Sequence, residues 1–178
     1  MISNPIQLRH LANEEADENY EFRQFLKHHR EPSSAEVDRL VFGISEKVWK
    51  AFDCTTCGNC CREVSPLVNE VELERLACHQ KMTHPEFASR FLKTSESGQE
   101  APWTMRERPC PFLKDNRCTV YEHRPGNCRD YPYLDKPDFT SRTLSMIGRL
   151  DVCPAVFEVL KQLKRATGFR PRRKRTPS

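Results

Sequence analysis

The amino-acid sequence predicts a helix-rich, irregular α+β fold in a single domain, with one small β-hairpin. Apolar residues recur at helical spacing in several segments, and two short apolar stretches flank a polar turn at residues 114–117. Prolines and glycines interrupt residues 122–138, where we expect irregular structure. The 178 residues, of which 37% are hydrophobic, suffice for one modest core.

Composition divides the chain into three parts. Residues 1–30 are polar, and we expect a partly flexible N-terminal segment. Residues 31–168 contain all the cysteines and form the predicted domain. Residues 169–178 form a basic tail that we expect to be disordered.

The first helices are predicted from apolar periodicity and capping signals. One helix lies near Tyr20 and Phe25, after residues 1–10, which we expect to be frayed. The strongest helical pattern begins at Ser33, which forms a capping-box pattern with Glu36. Its apolar residues fall on one face at the helical period: Val37, Leu40, Val41, Ile44, Val48 and Phe52.

The later elements follow from the same signals. Asn69 caps a second helix, and Thr83 begins a third that has Pro85 in its first turn. The sequence CPFLKDNRCTVY predicts the β-hairpin. The last helix begins at Pro154 and ends at Gly168.

Several protein classes are excluded by what the sequence lacks. The six glycines are far apart, so neither a dinucleotide-binding motif nor a P-loop is present, and we find no methyl-donor loop or hydrolase signature. The longest apolar run, residues 40–44, is far shorter than a membrane span. The N-terminus lacks the pattern of a secretory signal, so we expect a cytoplasmic protein without a membrane partner.

The positive charge of the chain is concentrated in the tail. Its five basic residues exceed the whole net charge of +4. Such a tail can contact nucleic acid or another anionic surface, although a solvated, disordered end is the more common role. The residues concerned are Arg170, Arg172, Arg173, Lys174 and Arg175.

Nine cysteines dominate the chemistry of the sequence. Four occur in CTTCGNCC, residues 54–61, where adjacent sulfurs rarely meet disulfide geometry. In a cytoplasmic chain they indicate metal or redox chemistry. We interpret Cys78 as a buried small apolar residue, because it lies within a helical pattern. The other eight lie in loops, in the hairpin or beside proline: Cys54, Cys57, Cys60, Cys61, Cys110, Cys118, Cys128 and Cys153.

The spacing of these cysteines favours an iron–sulfur cluster over zinc. Three thiolates at C-x2-C-x2-C with a distant fourth before proline are typical of a [4Fe–4S] cluster, and Cys110 and Cys153 both precede proline. A zinc site more often takes two ligands from each of two knuckles. The knuckle around Gly58, which we expect to have a positive φ, suits either metal.

Adjacent cysteines and arginines shape the expected centre. Cys60 and Cys61 point in different directions, so we expect the opening loop to share a centre with at least one later cysteine. Arg62, Arg117 and Arg129 each adjoin a cysteine and could offset the negative charge of thiolates. In a chain with a net positive charge, however, arginines also occur beside cysteines by chance.

The segments CTTCGNCC, CPFLKDNRCTVYEHRPGNCRDYP and the later CP resemble the YkgJ-type CxxCxxCC family, described as zinc- or iron-chelating proteins. The resemblance covers residues 54–154. It implies that the eight cysteines other than Cys78 bind the metal, which would staple the domain together. The same domain occurs in flagellin lysine N-methylases, and some members are labelled iron–sulfur oxidoreductases.

Two functions follow from the residues and the resemblance. The favoured one is a metal-chelating protein that binds an iron–sulfur cluster or zinc and could recruit a protein partner. The alternative is an iron–sulfur oxidoreductase, or a methyl-transfer enzyme related to protein lysine N-methylases. A substrate pocket could then use His123, Arg124, Arg129 and Tyr131, whose structural role would be to pack over the centre and pair within the turn.

Overall fold

The computed structural model of the protein describes residues 3–28, 31–96 and 102–172. Within these ranges the helices are α1 (Pro5–Glu14), α2 (Ala16–His28), α3 (Ser34–Ala51), α4 (Asn59–Glu63), α5 (Glu70–His79), α6 (His84–Phe91), α7 (Gly126–Asp130), α8 (Phe139–Ile147) and α9 (Pro154–Ala166). The strands are β1 (Leu67–Val68), β2 (Leu92–Thr94), β3 (Trp103–Met105), β4 (Leu113–Lys114) and β5 (Arg117–Cys118). The predicted helix-rich α+β class is confirmed. No helix in the described ranges combines the length and apolar character needed to cross a lipid bilayer.

Capping residues begin the helices where the sequence predicts them. Ser33, Asn69 and Thr83 precede α3, α5 and α6, and each takes part in a complete capping box. Pro154 occupies the first turn of α9. Gly168, with φ of 69°, follows the end of that helix.

The chain folds into two compact units. The helical unit comprises Met1–Asp53 and Pro132–Ser178, and the cysteine-rich unit comprises Cys54–Tyr131. The domain boundaries expected from composition, with residues 31–168 as one domain, stay a prediction.

The helical unit is built from α1, α2, α3, α8 and α9, with α3 packed against α8 and α9. Asp38 on α3 fixes the start of α8, because its carboxylate accepts hydrogen bonds from the backbone N–H groups of Asp138 (2.9 Å) and Phe139 (2.8 Å). The core residues are Leu8, Phe22, Leu26, Val37, Val41, Val48, Phe139, Met146, Leu150, Val156, Leu160 and Leu163.

The two ends of the described chain contribute to this core. Residues 5–10, expected to be frayed, instead begin α1, where Leu8 is fully buried and Asn4 caps the helix. Phe169, assigned to the tail by composition, is also buried, and its ring centroid lies 5.1 Å from that of Phe22. Of the basic tail, residues 173–175 lie outside the described residues.

The cysteine-rich unit contains two small antiparallel sheets. The predicted hairpin is present as β4 and β5, with Asp115 and Asn116 at positive φ in the turn. A second sheet, with strand order β1-β3-β2, was not predicted, because its strands are only two or three residues long. These sheets and α5 and α6 enclose a core of Val68, Leu73, Leu76, Ala77, Phe87, Leu92, Met105, Phe112 and Val120.

Candidate metal centre

The opening cysteine loop is a tight succession of turns. A 3₁₀ helix at Cys54–Thr56 leads to Gly58, whose φ of 67° confirms the predicted left-handed conformation. Helix α4 then carries Cys60 and Cys61. A Cβ atom on Gly58 would lie only 3.3 Å from Cα of Asn116, so the loop runs directly against the hairpin turn.

Four thiols from four separate segments interact with one another: Cys61, Cys110, Cys118 and Cys128. Each pair among them interacts electrostatically, and the backbone N–H of Cys110 donates to the carbonyl oxygen of Cys61 at 2.7 Å. Cys61 lies on α4, Cys110 precedes the hairpin, Cys118 ends it on β5, and Cys128 lies on α7. We call this set the four-thiol cluster.

Burial raises the pKa of three thiols in the cluster, and the charges of the neighbouring thiolates raise it further. The pKa of Cys110 rises to about 11 and that of Cys128 to about 12, and the pKa of Cys118 is also raised. The pKa of Cys61 is lowered to about 7, first because the Cys60 thiol donates a hydrogen bond to it and then because Arg62 is near. One thiol is therefore ready to act as a thiolate near neutral pH, whereas the others need a cation to release their protons.

Two arginines act on these thiols. Arg62 donates to the carbonyl oxygen of Cys57 at 3.3 Å and to the side chain of Asn116. Burial raises the pKa of Cys57, and the charge of Arg62 opposes this increase. The same charge adds to the hydrogen bond from Cys60 in lowering the pKa of Cys61. Burial raises the pKa values of Cys118 and Cys128, and the charge of Arg124 opposes a part of that increase. Both guanidinium groups offset negative charge on the sulfurs.

The four residues suggested for a substrate pocket differ from one another in their contacts and exposure. The guanidinium of Arg124 lies 3.5 Å from the ring centroid of Tyr121 and donates to the Tyr121 carbonyl oxygen at 2.6 Å. His123 stacks on His79 with ring centroids 4.1 Å apart. Arg129 on α7 is exposed, and Tyr131 is half-buried directly after that helix.

The other predicted cysteine ligands differ in their positions. Cys57 and Cys60 interact with Cys61, whereas Cys54 is exposed in the 3₁₀ helix. Cys153 is buried before α9 in the helical unit, where its backbone N–H donates to the carbonyl oxygen of Arg149. The interpretation of Cys78 as a buried residue is wrong. It lies on the solvent-facing side of α5, whose opposite side carries the buried Leu73, Leu76 and Ala77.

The donor chemistry of the four-thiol cluster fits a thiophilic metal. Thiolates are soft ligands that select zinc and iron–sulfur clusters, and none of the nine cysteines is joined to another in a disulfide. Among the described residues, no group of three or more His, Cys, Asp or Glu side chains is already arranged to hold a metal ion.

A family model matches residues 53–146, more than half of the chain, and its description reads "CxxCxxCC: Putative zinc- or iron-chelating domain". The chain belongs to the CxxCxxCC family. The match includes the whole four-thiol cluster and the opening loop, and it ends before Cys153. Membership confirms the resemblance predicted from the cysteine pattern and supports a metal partner. No curated protein and no solved structure matches the chain.

Some residues of the centre could not be found from the sequence. Asn116 was read only as part of a turn, yet it receives a hydrogen bond from Arg62, 54 residues away. No local pattern joins the two. Arg124 could be found because it lies in the Arg-Pro motif before Cys128.

Proposed function

We propose that this protein is a metal-chelating protein whose four-thiol cluster binds an iron–sulfur cluster or zinc. The observation that carries the proposal is that four separate segments bring Cys61, Cys110, Cys118 and Cys128 near one another. The backbone N–H of Cys110 donates to the carbonyl oxygen of Cys61 at 2.7 Å, Cys118 lies in the hairpin that follows Cys110, and burial together with the charges of the other thiols raises the pKa of Cys128. Four thiolates complete the coordination of zinc or supply the protein ligands of an iron–sulfur cluster.

An iron–sulfur cluster is the favoured occupant. The opening loop holds more thiols than a single zinc site needs, since Cys57 and Cys60 adjoin Cys61. A cluster of several iron atoms can take more than one thiolate from such a loop. The family resemblance also places Cys54 and Cys153 in the proposed ligand set. Arg129 and Tyr131 are proposed to lie around these ligands.

The protein's own residues would handle charge and protons during binding. Cys61 offers a thiolate near neutral pH, because the Cys60 thiol and Arg62 lower its pKa to about 7. The other cluster thiols must lose protons on binding. Arg62 and Arg124 then offset part of the negative charge that the thiolates bring.

The test is anaerobic purification followed by metal analysis and a visible spectrum. Iron with acid-labile sulfide and broad absorption in the visible range would identify an iron–sulfur cluster, whereas stoichiometric zinc without visible absorption would identify zinc. Cys→Ser variants at each cluster position should bind the metal more weakly and retain less of it after purification, and Cys78→Ser serves as the matched control. A protein that retains neither metal, even after anaerobic reconstitution with iron and sulfide or with Zn²⁺, would refute the proposal.

The enzymatic alternative, an iron–sulfur oxidoreductase or methyl-transfer enzyme, has no specific observation in its favour. Arg124, suggested for a substrate pocket, contacts the ring and carbonyl oxygen of Tyr121. Chelation therefore remains the function that we propose.

A further inference from the structure

One face of α5 holds residues 123–126, the segment that leads into α7 and Cys128. Oε1 of Glu72 accepts a hydrogen bond from the backbone N–H of Gly126 at 2.6 Å. Arg75 donates from Nε to the carbonyl oxygen of His123 (3.3 Å) and from Nη2 to that of Arg124 (3.1 Å). The His79 ring stacks on His123. Because residues three and four apart share a helix face, these three side chains of α5 act on one segment.

The carboxylate of Glu72 joins the starts of two helices. Its Oε2 accepts a hydrogen bond from the backbone N–H of Asn69 at 3.0 Å and so completes the capping box of α5. Its Oε1 bonds to Gly126, the first residue of α7. A Cβ atom on Gly126 would lie 3.1 Å from Oε1, so the close approach of the two segments favours glycine there.

This contact lies two residues from a thiol of the four-thiol cluster. Pro125 is buried, and its carbonyl oxygen accepts a hydrogen bond from the backbone N–H of Cys128 at 3.0 Å. The segment held by α5 and the backbone of Cys128 therefore form one hydrogen-bonded turn. Any shift of the segment moves the Cys128 sulfur relative to the other cluster thiols.

We propose that Glu72 and Arg75 are positioning residues that set the Cys128 thiol against Cys61, Cys110 and Cys118. The inference rests on the proposed metal-binding function, and it extends the centre to two residues that lie outside the cysteine motif. Groups that orient metal ligands typically change metal affinity by about 10- to 100-fold.

The first test measures Zn²⁺ affinity of the full-length variants by competition with a chromophoric chelator. Glu72→Gln and Arg75→Gln should each weaken binding by about 10- to 100-fold. Glu74→Gln, an exposed position on the same helix, should leave the affinity unchanged. Asn69→Ala removes the other half of the capping box and should lower thermal stability without weakening binding. Equal losses of affinity in Asn69→Ala and Glu72→Gln would overturn the inference, because the effect would then be one of helix capping.

A double-mutant cycle separates positioning from general stability. If Glu72 acts through Cys128, Glu72→Gln should cause no further loss of Zn²⁺ affinity in the Cys128→Ser background. In the Cys110→Ser background it should keep its full effect. Additive losses in both backgrounds would overturn the inference.

A second readout covers the case in which the wild-type protein binds neither zinc nor an iron–sulfur cluster. The proposed function then fails, and alkylation by iodoacetamide tests the positioning by itself. Glu72→Gln should speed alkylation of the Cys128 thiol severalfold relative to exposed Cys78, as measured by mass spectrometry of the peptides. An unchanged ratio of the two rates would overturn the inference.

Discussion

Replacing Gly58 by alanine should damage the cysteine-rich unit more than its backbone strain alone explains. The left-handed conformation at φ of 67° costs an alanine about 1–2 kcal/mol. The new Cβ would also lie 2.9 Å from Nη1 of Arg62 and 3.3 Å from Cα of Asn116. Moving the guanidinium breaks its bonds to Cys57 and Asn116, and the backbone contact forces the hairpin to shift. Overpacking of this kind adds about 1–3 kcal/mol, so we expect a total of about 2–5 kcal/mol.

Gly168 provides the matched control. Its φ is 69°, but among residues 3–28, 31–96 and 102–172 no atom beyond its chain neighbours lies within 4 Å of a Cβ built there. Gly168→Ala should therefore cost only the strain of about 1–2 kcal/mol. The chain has one tryptophan in each unit, Trp49 in the helical unit and Trp103 in the cysteine-rich unit. Urea unfolding of the metal-loaded protein, followed by fluorescence in Trp49→Phe and Trp103→Phe backgrounds, reports on each unit separately.

The two glycine variants should therefore differ in how much stability they lose and in which unit is destabilised. Gly58→Ala should weaken the transition reported by Trp103 and lower metal affinity, whereas Gly168→Ala should weaken only the transition reported by Trp49. If Gly58→Ala proves as mild as Gly168→Ala and leaves metal affinity unchanged, the close approach of the loop to the hairpin does not support the centre, and the reasoning is refuted.

Three further predictions concern the thiols. Cys78→Ser should retain full metal content and change the free energy of unfolding by less than about 0.5 kcal/mol, because the side chain is exposed. Metal analysis and urea unfolding measure these two quantities, and the loss of one metal equivalent would contradict the prediction. Removing the metal with a strong chelator should abolish the unfolding transition reported by Trp103 but leave the helical circular dichroism of α3. An unchanged Trp103 transition would show that the cysteine-rich unit does not need metal to fold. Metal affinity should rise steeply from pH 6 to pH 8, because thiols whose pKa values are raised, Cys110 to about 11 and Cys128 to about 12, must lose protons to bind. Chelator competition across this range measures the slope, and a flat profile would exclude these thiols as ligands.

Local signals were sufficient where neighbouring residues decide the structure. A capping box involves residues three positions apart, so Ser33 with Glu36 and Asn69 with Glu72 could be read directly from the sequence. The hairpin was predictable for the same reason, because its turn at residues 114–117 is closed by its own flanking strands.

Distant contacts caused the errors and omissions. The helical pattern around Cys78 predicted burial, but the buried face of α5 is set by what packs on it, and Cys78 lies on the other side. Strand β1 pairs with β3 across a long sequence separation, and β1, β2 and β3 are all too short for an alternating pattern to be visible. Leu8 on α1 is fully buried, and the polar composition of residues 1–30 gave no indication of this.

The sequence by itself determined the helix-rich class and the family, because residue type and spacing along the chain carry that information; the eight cysteines as metal ligands stay a prediction. Only the tertiary structure decided which thiols of the cysteine-rich unit interact, namely Cys61 with Cys110, Cys118 and Cys128. Spacing limits how far apart two sulfurs can be, but packing of α4, the hairpin and α7 brings them together. The same packing raises or lowers each thiol's pKa, since burial and neighbouring charge exist only in the folded chain.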